Sequence, residues 1–166
     1  MPLPLGEMPE LQKFTRIFRV VLLLDHEAQL NALKGYDFAW DIFVKIDVGS
    51  KRAGLPLDSP RLKQFLDRAV KSKHVNITGL YSHVRESYDC TTPDEACDVL
   101  HQELNSLLKA SELLPPSTRL ILSFGSTLMA HVAKYIRDLL VTRPGLSWEL
   151  HAGKLSVDIK CRRLQR

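Results

Sequence analysis

Residues 43–54 read FVKIDVGSKRAG. The first half alternates: Ile42, Val44, Ile46 and Val48 fall on one side of an extended chain, and Phe43, Lys45 and Asp47 on the other. Gly49 breaks the strand, and a short basic loop, Ser50-Lys51-Arg52, follows. A parallel strand covered by helices on both faces reads as continuously apolar, so a polar face needs a reason. Two are open. The segment is an exposed edge strand, or it is the wall of a closed barrel whose inner face ends in a polar site at the strand's C-terminal mouth.

Working outward toward the N-terminus, Asp25 is placed to cap a helix that runs to Lys34 and stops at Gly35. Val20–Leu24 is a short apolar run read as a buried strand. Glu10–Arg19 sets Leu11, Phe14, Ile17 and Phe18 at helical spacing, and proline-rich Met1–Pro9 starts no element. Toward the C-terminus, Ser59-Pro60 opens a helix with Leu62, Phe65, Leu66, Ala69 and Val70 in one stripe. Asn76–Ser82 is a third strand, with Ile77, Gly79, Tyr81 and His83 on one face. Thr92-Pro93-Asp94-Glu95 is a capping box, and its helix runs to about Leu113 before Pro115-Pro116. Leu120–Phe124 is a fourth strand, followed by Gly125-Ser126-Thr127 at the start of another helix. Ser147–His151 is a fifth, with Glu149 and His151 on one face and Trp148 and Leu150 on the other.

Strands alternating with helices predict a parallel α/β sheet with right-handed crossovers. Three strands carry polar residues on one face near their C-terminal ends: Lys45 and Asp47, Tyr81 and His83, Glu149 and His151. An edge strand explains one such face but not three, which favours an inward polar face in a barrel. A whole barrel has eight strands, and the pattern supplies five.

The bulk properties narrow the partners. A chain of 166 residues suits one domain. The net charge of +4 owes much to the last seven residues, KCRRLQR, so it describes no basic face and argues against nucleic acid as a partner. Cys90, Cys97 and Cys161 form no CxxC pair and no zinc spacing, which fits a reducing compartment. The longest apolar run, Val20–Leu24, is too short to span a bilayer, and no signal peptide is evident at the start. These features predict a cytoplasmic protein without membrane contact.

Four motifs, FVKIDVGSKRAGLPLDSPRL, GLYSHVRESYDCTTPDEA, LSFGST and WELHAG, occur in that order. Together they resemble the eukaryotic D-serine dehydratases, pyridoxal-phosphate enzymes with an alanine-racemase-type barrel. The resemblance covers residues 1–153 and leaves 154–166 as a divergent basic tail. It implies a partial (β/α)8 barrel of the TIM type, similar to the alanine racemase N-terminal domain, with about five of eight strands. It also implies pyridoxal 5'-phosphate in the barrel mouth, a small D-amino acid as substrate, zinc in the full-length enzymes, and a tendency to form homodimers.

By the same resemblance His83 lies against the cofactor ring, and Tyr88 faces cofactor or substrate from the following loop. Gly125, Ser126 and Thr127 make a phosphate cradle, with Gly153 as its second half. The helix N–H groups after a glycine suit an anion. His151 stands where the superfamily places a partner for the pyridine nitrogen. Arg52 matches an arginine that steadies a carboxylate, with Lys45 beneath it. Read without the resemblance, His83 is more simply a bonded core histidine and Ser126 an ordinary cap; His151 is a polar strand end, and Arg52 is equally a solvated loop charge and Lys45 a partner for Asp47.

The sequence departs from the family pattern in three ways. The Pro-His-x-Lys-Thr-His-Lys-like segment that carries the Schiff-base lysine is missing, so the resemblance implies three strands before Met1. The match stops at Gly153, and Cys161 has no partner histidine beside it, so no zinc site is carried over. Val84-Arg85-Glu86 replaces a small glycine-containing loop, and Leu128-Met129 replaces Pro-Thr. Without lysine and metal the remaining residues hold a ring and a phosphate but do not run an elimination. The expectation is a D-serine dehydratase-like chain that is inactive alone. A silent pyridoxal-phosphate carrier, a D-threonine aldolase-like enzyme and a fragment with no ligand are the alternatives. Open sheet edges predict poor solubility or a need for a partner.

Overall fold

Five strands run parallel in the order in which the chain makes them. In the computed structural model, which describes residues 5–51, 53–126, 132 and 144–151, these are β1 (Val21–Leu24), β2 (Trp40–Asp47), β4 (Val75–Tyr81), β5 (Leu120–Phe124) and β6 (Leu146–Leu150). A two-residue strand, β3 (Leu55–Pro56), pairs with β2 off this path and was not foreseen from the pattern. Each pairing is parallel. The order β1-β2-β4-β5-β6 never reverses. A doubly wound sheet would reverse at a switch point; unbroken succession is how a barrel wall is laid down. The chain therefore forms part of a barrel, about five strands of it.

The outer layer is helical: α2 (Glu27–Ala32) follows β1, α3 (Pro60–Lys71) follows β3, and α4 (Pro93–Ser111) links β4 to β5. In β2, Trp40, Ile42, Val44 and Ile46 are buried while Asp41, Phe43, Lys45 and Asp47 are only partly so, as the alternation requires. The buried row packs with Leu62, Phe65, Leu66 and Ala69 of α3, and with Leu100, Leu104 and Leu107 of α4, in one apolar core. Burying a side chain such as Phe65 contributes roughly 1.5–3 kcal/mol. Ser59 starts α3, its hydroxyl accepting from the Arg61 N–H at 3.2 Å. Thr92 and Glu95 close the capping box of α4.

Local readings are corrected at five points. Helix α1 starts at Met8, with Pro9 in its first turn where a missing N–H costs nothing, and ends at Phe14. Phe14, Ile17 and Phe18 are then exposed rather than inward. The cap of α2 is His26, whose Nδ1 accepts from the Ala28 N–H while Gln29 returns to the His26 N–H. Asp25 accepts instead from the Gly54 N–H at 3.1 Å, tying the end of β1 to the loop after β2. Val70 lies off the buried stripe and is exposed.

The β2–β4 register slips by one residue between Ile42 and Phe43, so Ile42 pairs with Ile77 but Phe43 with Gly79. This bulge at Thr78 turns Gly79 and Tyr81 to the face of Phe43 and Lys45, and leaves Ile77 on the other. Gly79 is required there: a Cβ would sit 2.1 Å from the Ile121 carbonyl and 2.4 Å from Phe43 Cε1. No described helix is long and apolar enough to cross a membrane.

Candidate functional site at the strand ends

One rung crosses four strands. Lys45 pairs with Tyr81, Tyr81 with Ser123, and Ser123 with Glu149. Paired residues of a parallel sheet share a face, so all four stand on the inner face near the strands' C-terminal ends. Two residues further along lie His83, Gly125 and His151. The sheet register alone brings together residues more than a hundred positions apart in the chain.

Side-chain geometry follows from that placement. The Tyr81 and His151 rings stack, centroids 4.5 Å apart and planes 10° from parallel. The His83 ring is 5.8 Å from His151 at 26°, and its Nδ1 lies 3.1 Å from the Gly125 carbonyl. Lys45 Nζ stands 5.9 Å from the Tyr81 ring centroid. Asp47 makes no ion pair with Lys45 among the described residues; it accepts from the backbone N–H groups of Gly49 and Lys51. Ser123 Oγ donates to Glu149 Oε1 at 3.0 Å and lies 3.1 Å from His151 Nδ1. His151 Nε2 is buried with no hydrogen-bond partner among the described residues. Leaving such an atom unpaired costs about 1–3 kcal/mol.

The Gly125 turn is built for close approach. Its φ of +112° suits glycine, and a Cβ would lie 2.6 Å from Leu150 Cδ1 and 3.1 Å from the His151 carbonyl. Ser126 is buried and donates to Ser87 Oγ at 2.9 Å, while Ser87 donates to the Val84 carbonyl at 2.8 Å. The turn is thus stapled to the 84–88 loop. Val84 packs inward and Arg85 is exposed.

Electrostatics separate the titratable groups. Burial lowers His151 to about 4, helped by the nearby His83 and Lys45 and opposed by the Gly125 backbone, so the ring is neutral. Burial, with Glu103, Tyr88 and Glu149 adding to it, raises Tyr81, which stays a phenol. Glu103 of α4, 1% exposed, is pushed up to about 7 by burial, although the Ser82 hydroxyl and the Gly125 backbone pull it down. Ser82 Oγ donates to Glu103 Oε1 at 2.8 Å, and Glu103 Oε2 has no partner among the described residues.

Of the residues singled out in the sequence, His83, Gly125, Ser126 and His151 come together. Tyr88 stands at the rim, 44% exposed, its ring 6.1 Å from His83. Lys45 faces the same interior. Arg52, Thr127 and Gly153 lie outside the described residues. Sequence reading missed Ser123, Ser87 and Glu103. The signal for Glu103 was present: a carboxylate stands at an inward position between Leu100 and Leu107. A groove of about 560 Å³ between the end of β1 and α3, lined by Asp25, Gly54, Arg61 and Phe65 among others, shares none of these residues.

Comparison with known proteins agrees with the fold. Residues 3–148 match the family described as alanine racemase, N-terminal domain. The D-serine dehydratase of Schizosaccharomyces pombe is 32% identical, over 92% of this chain and 40% of its own length. That of Saccharomyces cerevisiae is 29% identical, over 83% of this chain and 37% of its own. The chain thus spans about two fifths of the curated relatives that it matches. Among solved structures, an alanine racemase-like protein from Idiomarina loihiensis superposes with a TM-score of 0.72 at 20% identity, over 92% of this chain and 40% of that one. The D-threo-3-hydroxyaspartate dehydratase from Delftia sp. HT23 gives 0.71 at 22%, with the same coverage.

Proposed function

Because the chain belongs to the alanine racemase N-terminal domain family, we propose that it is the cofactor-holding wall of a D-serine dehydratase-like lyase. The reaction in view converts D-serine to pyruvate and ammonia by β-elimination with pyridoxal phosphate. The observation that carries the reading is the convergence of His83, Gly125 and His151 at three neighbouring strand ends. The two D-serine dehydratases among its relatives and the hydroxyaspartate dehydratase among its structural neighbours support a D-amino acid bearing a β-hydroxyl as substrate class.

The residues present fit the group. His83 offers a flat ring tethered through Nδ1 to the Gly125 carbonyl. His151 offers a buried nitrogen that lacks a partner. Gly125 lets the turn lie directly against Leu150 and the His151 carbonyl, where a Cβ would clash, and so brings its backbone to the strand mouth. When bound, pyridoxal phosphate supplies an electron sink for a carbanion at the substrate Cα. The chain's own part is to bind and orient. His83 would pack against the ring, His151 would meet its nitrogen, and the backbone from Gly125 onward, with Thr127 and Gly153 as proposed members, would take the phosphate. The Ser126 hydroxyl, already committed to Ser87, holds the turn in shape instead. Lys45 and Arg52 provide positive charge for a substrate carboxylate, and Tyr88 flanks the entrance.

No residue here is assigned the Schiff-base role, so the chain by itself binds without turning over. The test is a titration with pyridoxal phosphate, with borohydride added to trap any lysine adduct, followed by D-serine with pyruvate as readout. Saturable, non-covalent binding without pyruvate is expected. Pyruvate formed by this chain alone overturns the binding-only part; no saturable binding overturns the reading as a whole.

A further inference from the structure

The Ser123 hydroxyl has a single proton and two neighbours that compete for it. Glu149 Oε1 lies at 3.0 Å and His151 Nδ1 at 3.1 Å. An ionised carboxylate only accepts hydrogen bonds, whereas a neutral imidazole carries one donor and one acceptor nitrogen. If Ser123 donated to Nδ1, its oxygen would face the Glu149 carboxylate with lone pairs opposed. If it donates to Glu149, the histidine must supply the second proton, from Nδ1–H to Ser123 Oγ. The charged acceptor makes the stronger bond and decides the direction.

From this geometry we infer that Ser123 and Glu149 are positioning residues which lock His151 as its Nδ1–H tautomer, leaving Nε2 a bare acceptor reserved for a ligand nitrogen that carries a proton. The inference rests on the cofactor reading above for the identity of that ligand, whose ring nitrogen is then held protonated. It does not rest on that reading for the tautomer.

Three features of the structure agree. Nε2 is buried and has no donor among the described residues, as a bare acceptor nitrogen requires. The Tyr81 ring stacked on His151 restrains rotation about the ring plane. The three groups come from the rung that pairs Ser123 with Glu149, and from the residue two positions beyond it, so the backbone fixes their spacing. A protonated ligand nitrogen deepens the electron sink of a pyridine ring, which gives the relay a chemical purpose.

The test reads the histidine itself in the ligand-free 166-residue chain. Nitrogen-15 labelling of histidine, with His151→Gln to assign the signal, reports which ring nitrogen bears the proton at neutral pH. The wild-type chain is expected to show Nδ1 protonated and Nε2 bare. Ser123→Ala should give a mixture of tautomers, and Ser123→Thr, which keeps a hydroxyl, should restore the single form. Glu149→Gln, on an exposed position, releases the serine proton and should move the balance toward Nε2–H. A wild-type Nε2–H tautomer, or a tautomer indifferent to both Ser123→Ala and Glu149→Gln, overturns the inference. Adding labelled pyridoxal phosphate extends it: a protonated pyridine nitrogen supports the ligand half, and a bound but unprotonated one overturns that half. If the tautomer behaves as stated and the cofactor leaves every signal unmoved, the positioning roles stand and the cofactor reading falls.

Discussion

Tyr81 and His151, from strands that are not neighbours, lie face to face at 4.5 Å. The strand between them presents Ser123 and Gly125, residues small enough to let the two rings meet above it. Replacing Tyr81 by Leu removes the ring and is expected to cost about 1–2 kcal/mol. Tyr81→Phe keeps the ring and should cost under about 0.5 kcal/mol. Denaturant unfolding of the two variants distinguishes them, and equal losses would show that the stack contributes nothing.

Gly125 combines a positive φ with a close neighbour. Gly125→Ala must strain the backbone and push against Leu150 and the His151 carbonyl. A loss of about 1–3 kcal/mol is expected, with weaker binding of pyridoxal phosphate. A variant as stable as the wild type, read by thermal unfolding, contradicts the geometry of the turn.

Glu103 and His151 give opposite pH dependences. The proton on Glu103 is held more tightly in the folded chain, about 7 against an ordinary 4.5. Its favourable contribution is therefore complete below pH 4.5 and is lost as pH rises toward 7. His151 falls to about 4 from 6.5, so its contribution is complete above pH 6.5 and is lost as pH falls toward 4. Each amounts to on the order of 3 kcal/mol at most. Between pH 4.5 and 6.5 the two slopes oppose each other and flatten the wild-type profile. Glu103→Gln should unmask a loss of stability on acidification. His151→Gln should unmask a loss as pH rises to 7. Urea midpoints across pH 4–8 check both; parallel profiles for all three chains contradict the assignment.

Much of this architecture was legible in the chain because its signals are local. The alternation of residues 42–48, the Ser59-Pro60 start and the Thr92–Glu95 box each depend on side chains within a few positions of one another. The convergence of polar strand ends was legible too, once three such ends were seen together. Other features were hidden because they depend on register. The bulge at Thr78 changes which face Ile77 occupies, and nothing near Thr78 announces it. The exposure of Phe14, Ile17 and Phe18 depends on where α1 stops, which periodicity overran. Ser123 looks like an unremarkable strand residue until pairing sets it beside Glu149 and His151.

The claim on which the account depends is that the ends of β4, β5 and β6 form one ligand pocket. Equilibrium dialysis of this chain against pyridoxine 5'-phosphate tests it most directly, because that ligand has ring and phosphate but no aldehyde to react with surface lysines. Saturable binding to one site per chain is expected, weakened at least tenfold by His83→Ala and by His151→Ala separately. No saturable binding, or binding that both substitutions leave intact, would contradict it.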